Sequence, residues 1–146
     1  MLKYSRQREE ILLNLQGRKD HPTADMVYES VRKNQPNISL GTVYRNLSLL
    51  AEHGQILKIS TGTGPDHYDG YIEPHNHFIC KRCGAVLDMD YVSEEDVITN
   101  ASKSFTGKIE DYELLFYGTC EFCLPADSKS QKQKKESSDK EILINF

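Results

Sequence analysis

The sequence has no long hydrophobic run and no excess of positive charge, and its N-terminal segment is interpreted as a helix and not as a secretory leader. Its apolar stretches fall short of the roughly 18 residues that indicate a membrane span, and the N-terminal apolar positions are periodic with no small-residue cleavage site after them. The formal net charge of −4 does not itself predict nucleic-acid binding, so any such surface is expected to be local. These absences predict a cytoplasmic protein without a membrane partner.

The chain is also poor in hydrophobic residues, which make up 38% of its 146 positions. That fraction is low for one compact core and is more typical of two small lobes with a tail. Residues 126–146 are mostly polar, so we expect them to form a disordered tail. Cysteine is limited to four residues, and without an export signal these are expected to be reduced thiolates.

The first half of the chain, residues 1–72, has the pattern of three short helices followed by a β-hairpin. The predicted helices cover residues 5–15, 23–34 and 39–54, and the predicted strands cover residues 55–60 and 66–71. This order of elements is that of a winged helix-turn-helix, in which the third helix enters the major groove of DNA. We therefore predict a DNA-binding domain over this part of the chain.

Polar side chains on the third predicted helix can hydrogen-bond bases or phosphates. The candidates for DNA contact are Ser39, Thr42, Tyr44, Arg45 and Asn46. Further phosphate contacts are expected from Arg6, Arg8, Arg18, Lys19 and Lys58. The alternative is a helical lobe with an ordinary solvated face, because small helical trios are common and the net charge is acidic.

The second half, residues 73–125, is predicted to be a small α/β lobe. Strands are expected over residues 77–82 and 85–90, a helix over residues 93–105, and a long strand over residues 107–120. An exposed strand of that length is expected to pair with a copy of itself, which predicts a homodimer. The fold class is therefore α+β, with an N-terminal winged helix-turn-helix and a small α/β dimerisation domain.

The cysteines form two pairs with the spacing of a structural zinc site, namely Cys80, Cys83, Cys120 and Cys123. The two-residue spacer lets both sulfurs of a pair face one ion, and Gly84 gives the backbone freedom to turn. A closed four-sulfur site of this kind has no open position for chemistry, so its role would be structural. The alternatives are two disulfides or a redox-active pair.

A second group of candidate ligands contains only nitrogen and oxygen donors. His75 and His77 alternate at the start of a strand and so share a face, while Asp69 lies on the preceding strand. Asp88 returns beside the histidines if two strands pair, and His21 is within reach if the lobes fold together. Such a set suits Fe(II), Mn(II) or zinc, whereas sulfur selects zinc. The alternative is that these are surface polar residues, with His21 a turn residue before proline.

Two other histidines have no clear place in this set. His53, beside Gly54, is most simply a residue at the C-terminal cap of the third helix. His67 is ambiguous, because it lies two residues from Asp69 but within the expected wing.

Four segments resemble signatures of the ferric uptake regulator (Fur) family. They are HPTADMVYE, SLGTVYRNL, HNHFICKRCG and CEFC, and the similarity runs in order from about residue 4 to residue 123. The resemblance implies a dimeric winged-helix repressor that binds an operator in double-stranded DNA. It also implies a structural four-cysteine zinc site and a regulatory metal site between the two domains.

Within the family the sequence is most similar to the peroxide-sensing branch, PerR. The three histidines and two aspartates of that branch correspond to His21, Asp69, His75, His77 and Asp88. Iron-sensing members usually carry Glu where Asp69 and Asp88 stand. The resemblance implies that bound Fe(II) reacts with peroxide and that a ligand histidine, His21 or His75, becomes 2-oxo-histidine. The oxidised ring binds metal poorly, so the lobes loosen and DNA is released.

Two features depart from that branch and keep alternatives open. The family usually has a further helix before the segment that begins near residue 4, so DNA affinity or operator choice is expected to differ. Arg45 resembles the iron-sensing type, where PerR members carry Asn. The alternatives are an iron-responsive or zinc-responsive repressor or, in another class, a small non-haem iron enzyme. Five ligands would fill the coordination sphere, so we expect no enzymatic activity.

Overall fold

The computed structural model describes residues 2–126, which form an α+β fold as predicted. The helices are α1 (Arg6–Leu15), α2 (Ala24–Val31), α3 (Leu40–Glu52) and α4 (Glu94–Ser102). The strands are β1 (Leu57–Ile59), β2 (His67–Asp69), β3 (Asn76–Cys80), β4 (Val86–Met89) and β5 (Phe116–Gly118). None of the helices in this described part could cross a membrane. The predicted tail from residue 127 onward lies outside the described residues.

The N-terminal lobe, α1 to β2, has one core built from the inward faces of its three helices. Each helix begins at a hydroxyl cap: Ser5, Thr23 and Ser39 each accept a hydrogen bond from a backbone N–H in the first turn. The buried side chains include Ile11, Leu15, Val27, Val31, Val43, Leu47 and Leu50. Strands β1 and β2 pair antiparallel, and Tyr68 of β2 joins this core, so the hairpin is fixed against the helices.

The C-terminal lobe, β3 to residue 126, is a three-stranded sheet with one helix. The strand order is β4-β3-β5, with β3 antiparallel to β4 and parallel to β5. Its apolar cluster is small: Ile79 and Val86 pack with Ile59 of β1, and Leu115 lies against them. The hydroxyl of Tyr117 also donates to the carbonyl of Thr61, at 3.2 Å. The two lobes therefore touch through apolar and polar contacts near β1.

The prediction of a long strand over residues 107–120 is wrong, because within that segment only Phe116–Gly118 forms a strand. The strand extends only as far as its backbone pairing: β3 pairs with this segment over three residues, Phe116 to Gly118. A strand exists only where another backbone supplies its hydrogen bonds. Residues 107–115 have no strand partner in the part of the chain that the structure describes.

Candidate metal centres

The pairing of β3 with β5 brings the two cysteine pairs together. Cys80 is the last residue of β3 and lies opposite Gly118 at the end of β5, two residues before Cys120. Gly84, with a φ of 75°, takes the left-handed conformation that turns the chain after the first pair. The four sulfur atoms lie within 4.8 Å of one another, so the predicted four-sulfur cluster is formed.

The spacing of the sulfurs fits a tetrahedral ion and not a pair of disulfides. Cys83 Sγ and Cys120 Sγ are 3.7 Å apart. A disulfide bond measures about 2.05 Å. Four sulfurs at about 2.3 Å from a central zinc ion are about 3.8 Å from one another. The cysteines are all free thiols in this arrangement, and the donor set matches structural zinc.

The thiols differ in acidity because their hydrogen-bond partners differ. The N–H groups of Cys83 and Cys120 donate to Cys80 Sγ at 3.5 and 3.3 Å and lower the pKa of that thiol to about 6. Contact with the sulfur of Cys120 raises the pKa of Cys123 to about 12. Four thiolates at this spacing repel one another, so full deprotonation requires a cation, which Zn²⁺ would supply.

The second cluster joins the two lobes and uses the five predicted ligands. His21 lies between α1 and α2, Asp69 ends β2, and His75 precedes β3. His77 on β3 is directly opposite Asp88 on β4, which confirms the expectation that Asp88 returns beside the histidines. His21, Asp69 and His77 are all buried, whereas Asp88 is half exposed.

The donor atoms of this cluster lie close to one another. Each of the three imidazole Nε2 atoms lies 2.8–3.4 Å from one carboxylate oxygen of Asp69 and one of Asp88. The Nε2 atoms of His75 and His77 are 3.0 Å apart. Ligands at right angles around an ion at about 2.1 Å are about 3.0 Å from one another. The donor atoms of His21, Asp69, His77 and Asp88 all lie within 4.8 Å of one another and fit one ion. His75 is outside that mutual group but lies 2.9–3.1 Å from the donor atoms of Asp69, His77 and Asp88.

Hydrogen bonds outside the cluster set the direction of two ligands. The Nδ1–H of His75 donates to the carbonyl of Glu73 at 2.7 Å, so its Nε2 lone pair faces the other donors. Asp69 turns one oxygen to the three histidines, and its other oxygen accepts the N–H of Tyr71 at 2.9 Å. Both ligands are therefore oriented before any ion binds.

The pKa values of the ligands depend on their burial and on the charges within the cluster. Burial disfavours the imidazolium of His21, but hydrogen bonds to Asp69 and Asp88 offset this and raise its pKa overall. Burial likewise works against the charged form of Asp69, and the neighbouring donors of His21 and His77 still lower the pKa of this carboxyl. Two carboxylates among three imidazoles give a site that holds a proton or a divalent ion. Nitrogen and oxygen donors of this kind suit Fe(II), Mn(II) or zinc.

Four of the five residues predicted to contact DNA lie at least partly at the surface of the protein, and one does not. Ser39, Tyr44 and Arg45 are exposed and Thr42 is partly exposed. Asn46 is only 6% exposed, so its placement on the exposed face is wrong. It lies three residues after Val43 and four before Leu50, on the inward stripe, where a helix places its core residues. Its side-chain carbonyl accepts the Nε–H of Arg8 at 3.2 Å, and its amide donates to the carbonyl of Thr42.

Other charged and polar residues singled out in the sequence have local partners. Arg18 forms a 2.7 Å ion pair with Asp20, and Arg8 donates to the carbonyl of Lys3. His53 caps α3, with its Nδ1–H donating to the carbonyl of Leu49, as expected from its position. The sequence did not reveal the role of His67, whose Nδ1–H donates to the carbonyl of His21 at 2.6 Å. No local motif carries that contact, because 46 positions separate the two residues.

The comparisons with known proteins agree on one family. The profile of the Ferric uptake regulator family matches residues 1–117. The Peroxide operon regulator of Bacillus subtilis (strain 168) is 33% identical over 117 residues, covering 80% of this chain and 81% of that protein. The Ferric uptake regulation protein of the same organism is 38% identical over 113 residues, covering 75% and 76%. Similar relatives thus include both a peroxide regulator and an iron regulator.

A solved structure agrees with these sequence relatives. The ferric uptake regulator of Helicobacter pylori, described as having three functional metal-binding sites, superposes with a TM-score of 0.74 at 26% identity. The superposition covers 86% of this chain and 85% of that one. The order and packing of the elements are therefore shared over nearly all of the described residues.

Proposed function

The chain belongs to the ferric uptake regulator family, and we propose that it is a metal-dependent repressor that senses peroxide. Members of this family are metal-responsive transcriptional regulators and not enzymes. The observation that carries the proposal is that three histidines, from both lobes, each lie within 3.4 Å of one oxygen of Asp69 and one of Asp88. Both acidic ligands are Asp, and the similarity to a peroxide regulator supports the same assignment.

The proposed sensing step takes place on the chain's own imidazoles. Fe(II), when held by these residues, would supply the chemistry that reduces hydrogen peroxide. His21 or His75 is oxidised: one ring carbon exchanges its C–H for C–OH, one peroxide is consumed and one water is released. The 2-oxo ring is a poor donor, so the site loses a ligand and its affinity for metal falls. Mn(II) in the same site would support DNA binding without this oxidation.

We assign DNA binding to residues 1–72, acting as a winged helix-turn-helix. Helix α3 presents Ser39, Thr42, Tyr44 and Arg45 along one side, and the β1–β2 hairpin packs beside it as the wing. Arg45 can form a bidentate contact to guanine, and Tyr44 offers a 42% exposed ring at the same surface. Phosphate contacts from Arg6, Lys19 and Lys58 would add affinity without base specificity. Binding to operator DNA would require the chain to act in the cytoplasm.

We assign dimerisation to residues 73–125. The apolar cluster of this lobe is small, and none of the residues of α4 is buried. Large apolar side chains remain exposed on the same lobe, including Tyr91, Phe105 and Tyr117. A second copy that pairs with residues 107–115 would cover these side chains and supply the backbone partner that these residues lack within the described chain. The homodimer would set the spacing of the two α3 helices for successive major grooves.

Metal binding would couple the two functions by selecting one arrangement of the lobes. His21 and Asp69 come from the N-terminal lobe, whereas His75, His77 and Asp88 come from the C-terminal lobe. An ion held by all five favours the arrangement in which the lobes are closed. A tenfold shift toward that arrangement requires about 1.4 kcal/mol of difference in affinity.

One experiment tests the proposal. An operator is selected from a random duplex library with zinc-loaded, Mn(II)-saturated full-length protein, and its binding is then titrated with Fe(II) or Mn(II), with and without hydrogen peroxide. We expect both metals to support binding and peroxide to abolish it only with Fe(II). Peptide mass spectrometry should then find one added oxygen atom on the peptide holding His21 or on that holding His75. Unmodified peptides after loss of binding would contradict the proposal.

The iron-responsive alternative has a specific observation in its favour. Arg45 at the exposed surface of α3 resembles iron-sensing members, and identity to the Bacillus subtilis ferric uptake regulation protein is 38%. In that case Fe(II) would support operator binding and peroxide would leave both histidines unmodified. A zinc-responsive repressor would respond to added Zn²⁺ after the four-cysteine site is already filled.

A further inference from the structure

His21 has the most unusual backbone of the five proposed ligands. Among residues 2–126 it is the only residue other than glycine with a positive φ, at 49°. A non-glycine residue in this region costs about 1 kcal/mol and persists only where its surroundings hold it. The following Pro22 restricts the conformation further. Something must therefore hold this backbone in place.

The ring of His21 is not held in the usual way. A histidine that binds metal normally donates its second ring N–H to a fixed acceptor, as His75 does to Glu73. His21 is 2% exposed, and its Nδ1 has no hydrogen-bond partner within the part of the chain that the structure describes. Apart from its contacts with Asp69 and Asp88, the direction of its Nε2 is therefore set by the backbone that carries the ring.

Strand β2 holds that backbone at two successive carbonyls. The Nδ1–H of His67 donates to the carbonyl of His21 at 2.6 Å, and the N–H of Tyr68 donates to the carbonyl of Pro22 at 2.9 Å. Thr23 and His67 also form an isolated antiparallel bridge. His67 and Asp69 are two apart and so share a face of β2. One holds the carbonyl of His21, and the other lies 3.3 Å from its ring nitrogen.

We propose that His67 is a positioning residue for the regulatory metal site, because its hydrogen bond to the carbonyl of His21 fixes the ring of that ligand toward the ion. The inference rests on the proposed regulatory site but not on peroxide sensing. His67 acts as a donor with its Nδ1–H and is not itself a ligand. The same contact ties a ligand of the site to the hairpin that we assign as the wing.

The test compares Mn(II) affinity, measured by calorimetry on zinc-loaded full-length protein, among three variants of His67. Asparagine carries its amide nitrogen at the position of Nδ1, whereas glutamine carries it one bond further out. We expect His67→Ala and His67→Gln to bind Mn(II) about tenfold more weakly than wild type. His67→Asn should retain the donor and bind within about twofold of wild type. The two amide variants are matched in polarity and decide the question even if His67→Ala fails to fold.

A double-mutant cycle separates positioning from general support of the fold. In a His21→Ala background the ring that His67 positions is gone, so adding His67→Gln should cause no further loss of Mn(II) affinity. An equal loss in both backgrounds would overturn the proposal, as would equal affinity of His67→Gln and wild type. Wild-type protein that binds no Mn(II) would instead overturn the proposed regulatory site itself, and this inference with it.

Discussion

The Nε2 atom of His21 lies 2.8 Å from a carboxylate oxygen of Asp88, a residue 67 positions further along the chain. His21 precedes the second helix of the N-terminal lobe, whereas Asp88 lies on an edge strand of the C-terminal sheet. The pair therefore bridges the two lobes at the candidate regulatory site. The lobes also meet near β1, away from the site. There Ile59 packs against the apolar cluster of the C-terminal lobe, and the hydroxyl of Tyr117 donates to the carbonyl of Thr61. Metal is thus expected to adjust an arrangement that other contacts already favour.

Removing the bridging imidazole should weaken metal binding without unfolding the protein. His21→Ala deletes one of five donors, and we expect Mn(II) affinity to fall by at least about 100-fold, because loss of a supporting contact alone costs 10- to 100-fold. Zinc content and dimer mass should not change, since the four cysteines lie elsewhere. Calorimetry, zinc analysis and light scattering measure the three quantities.

His53→Ala is the matched control for that variant. His53 is an exposed histidine at the end of α3. Within the described chain its side chain forms one hydrogen bond, to the carbonyl of Leu49. Its replacement should leave Mn(II) affinity unchanged. A His21→Ala protein that binds operator with unaltered Mn(II) dependence would contradict the coupling between the site and DNA binding.

The four-cysteine site should be essential for the fold of the C-terminal lobe. That lobe has an apolar cluster of only a few residues, so zinc is expected to supply much of its stability. Cys123→Ser should release the ion and lower the free energy of unfolding by more than about 4 kcal/mol. Zinc release with a chromogenic chelator and urea unfolding monitored by circular dichroism test this. Asp88→Ala, which alters the other site, should keep its zinc; full stability of Cys123→Ser would argue against a structural role.

Much of this arrangement follows from local patterns in the sequence. Hydroxyl caps and apolar periodicity predicted the helices, and the spacing of the cysteines predicted the four-sulfur cluster, because both depend on residues close in sequence. The alternation of His75 and His77 also predicted that their rings meet. The burial of Asn46 was predictable in principle from its place on the stripe of Val43 and Leu50.

The remaining features depend on contacts that no local pattern contains. The hydrogen bond from His67 to His21 requires β2 to lie against the segment before α2, which only the packed lobe defines. The last strand is short because only three of its predicted residues pair with β3, and the sequence does not specify that pairing. Composition predicts a strand's preference, but the partner's backbone decides how much of it forms.

Two residues of α3 should have opposite roles, one in stability and one in DNA binding. Asn46 is buried and connects Arg8 to the carbonyl of Thr42, so Asn46→Ala should lower the free energy of unfolding by about 1–3 kcal/mol through unsatisfied polar groups. Tyr44 is exposed, so Tyr44→Ala should leave stability within about 0.5 kcal/mol and weaken operator binding. Urea unfolding and fluorescence anisotropy measure the two effects. Equal loss of stability in both variants would contradict the assignment of Asn46 to stability and Tyr44 to DNA binding.

The stability of zinc-loaded protein without a regulatory ion should decrease as pH rises above neutrality. Burial acts to lower the pKa of His21, and contacts with Asp69 and Asp88 raise it overall; the pKa of His75 is raised as well. A folded-state pKa above the unfolded value of 6.5 means that protonation favours the folded chain. This contribution is complete below pH 6.5 and is lost as pH rises through the raised value. The lowered pKa of Asp69 acts only in acid, as pH falls below 3.8.

Mn(II) should reverse that trend, because the ion and the protons compete for the same imidazoles. Its added stabilisation should therefore grow between about pH 6 and about pH 8, where free imidazole loses its proton. Urea midpoints at both values, with and without Mn(II), measure the two slopes. His21→Ala should flatten both, since it removes one of the titrating rings. A wild-type protein without Mn(II) that gains stability toward pH 8, with the same slope in His21→Ala, would show that groups outside the site dominate.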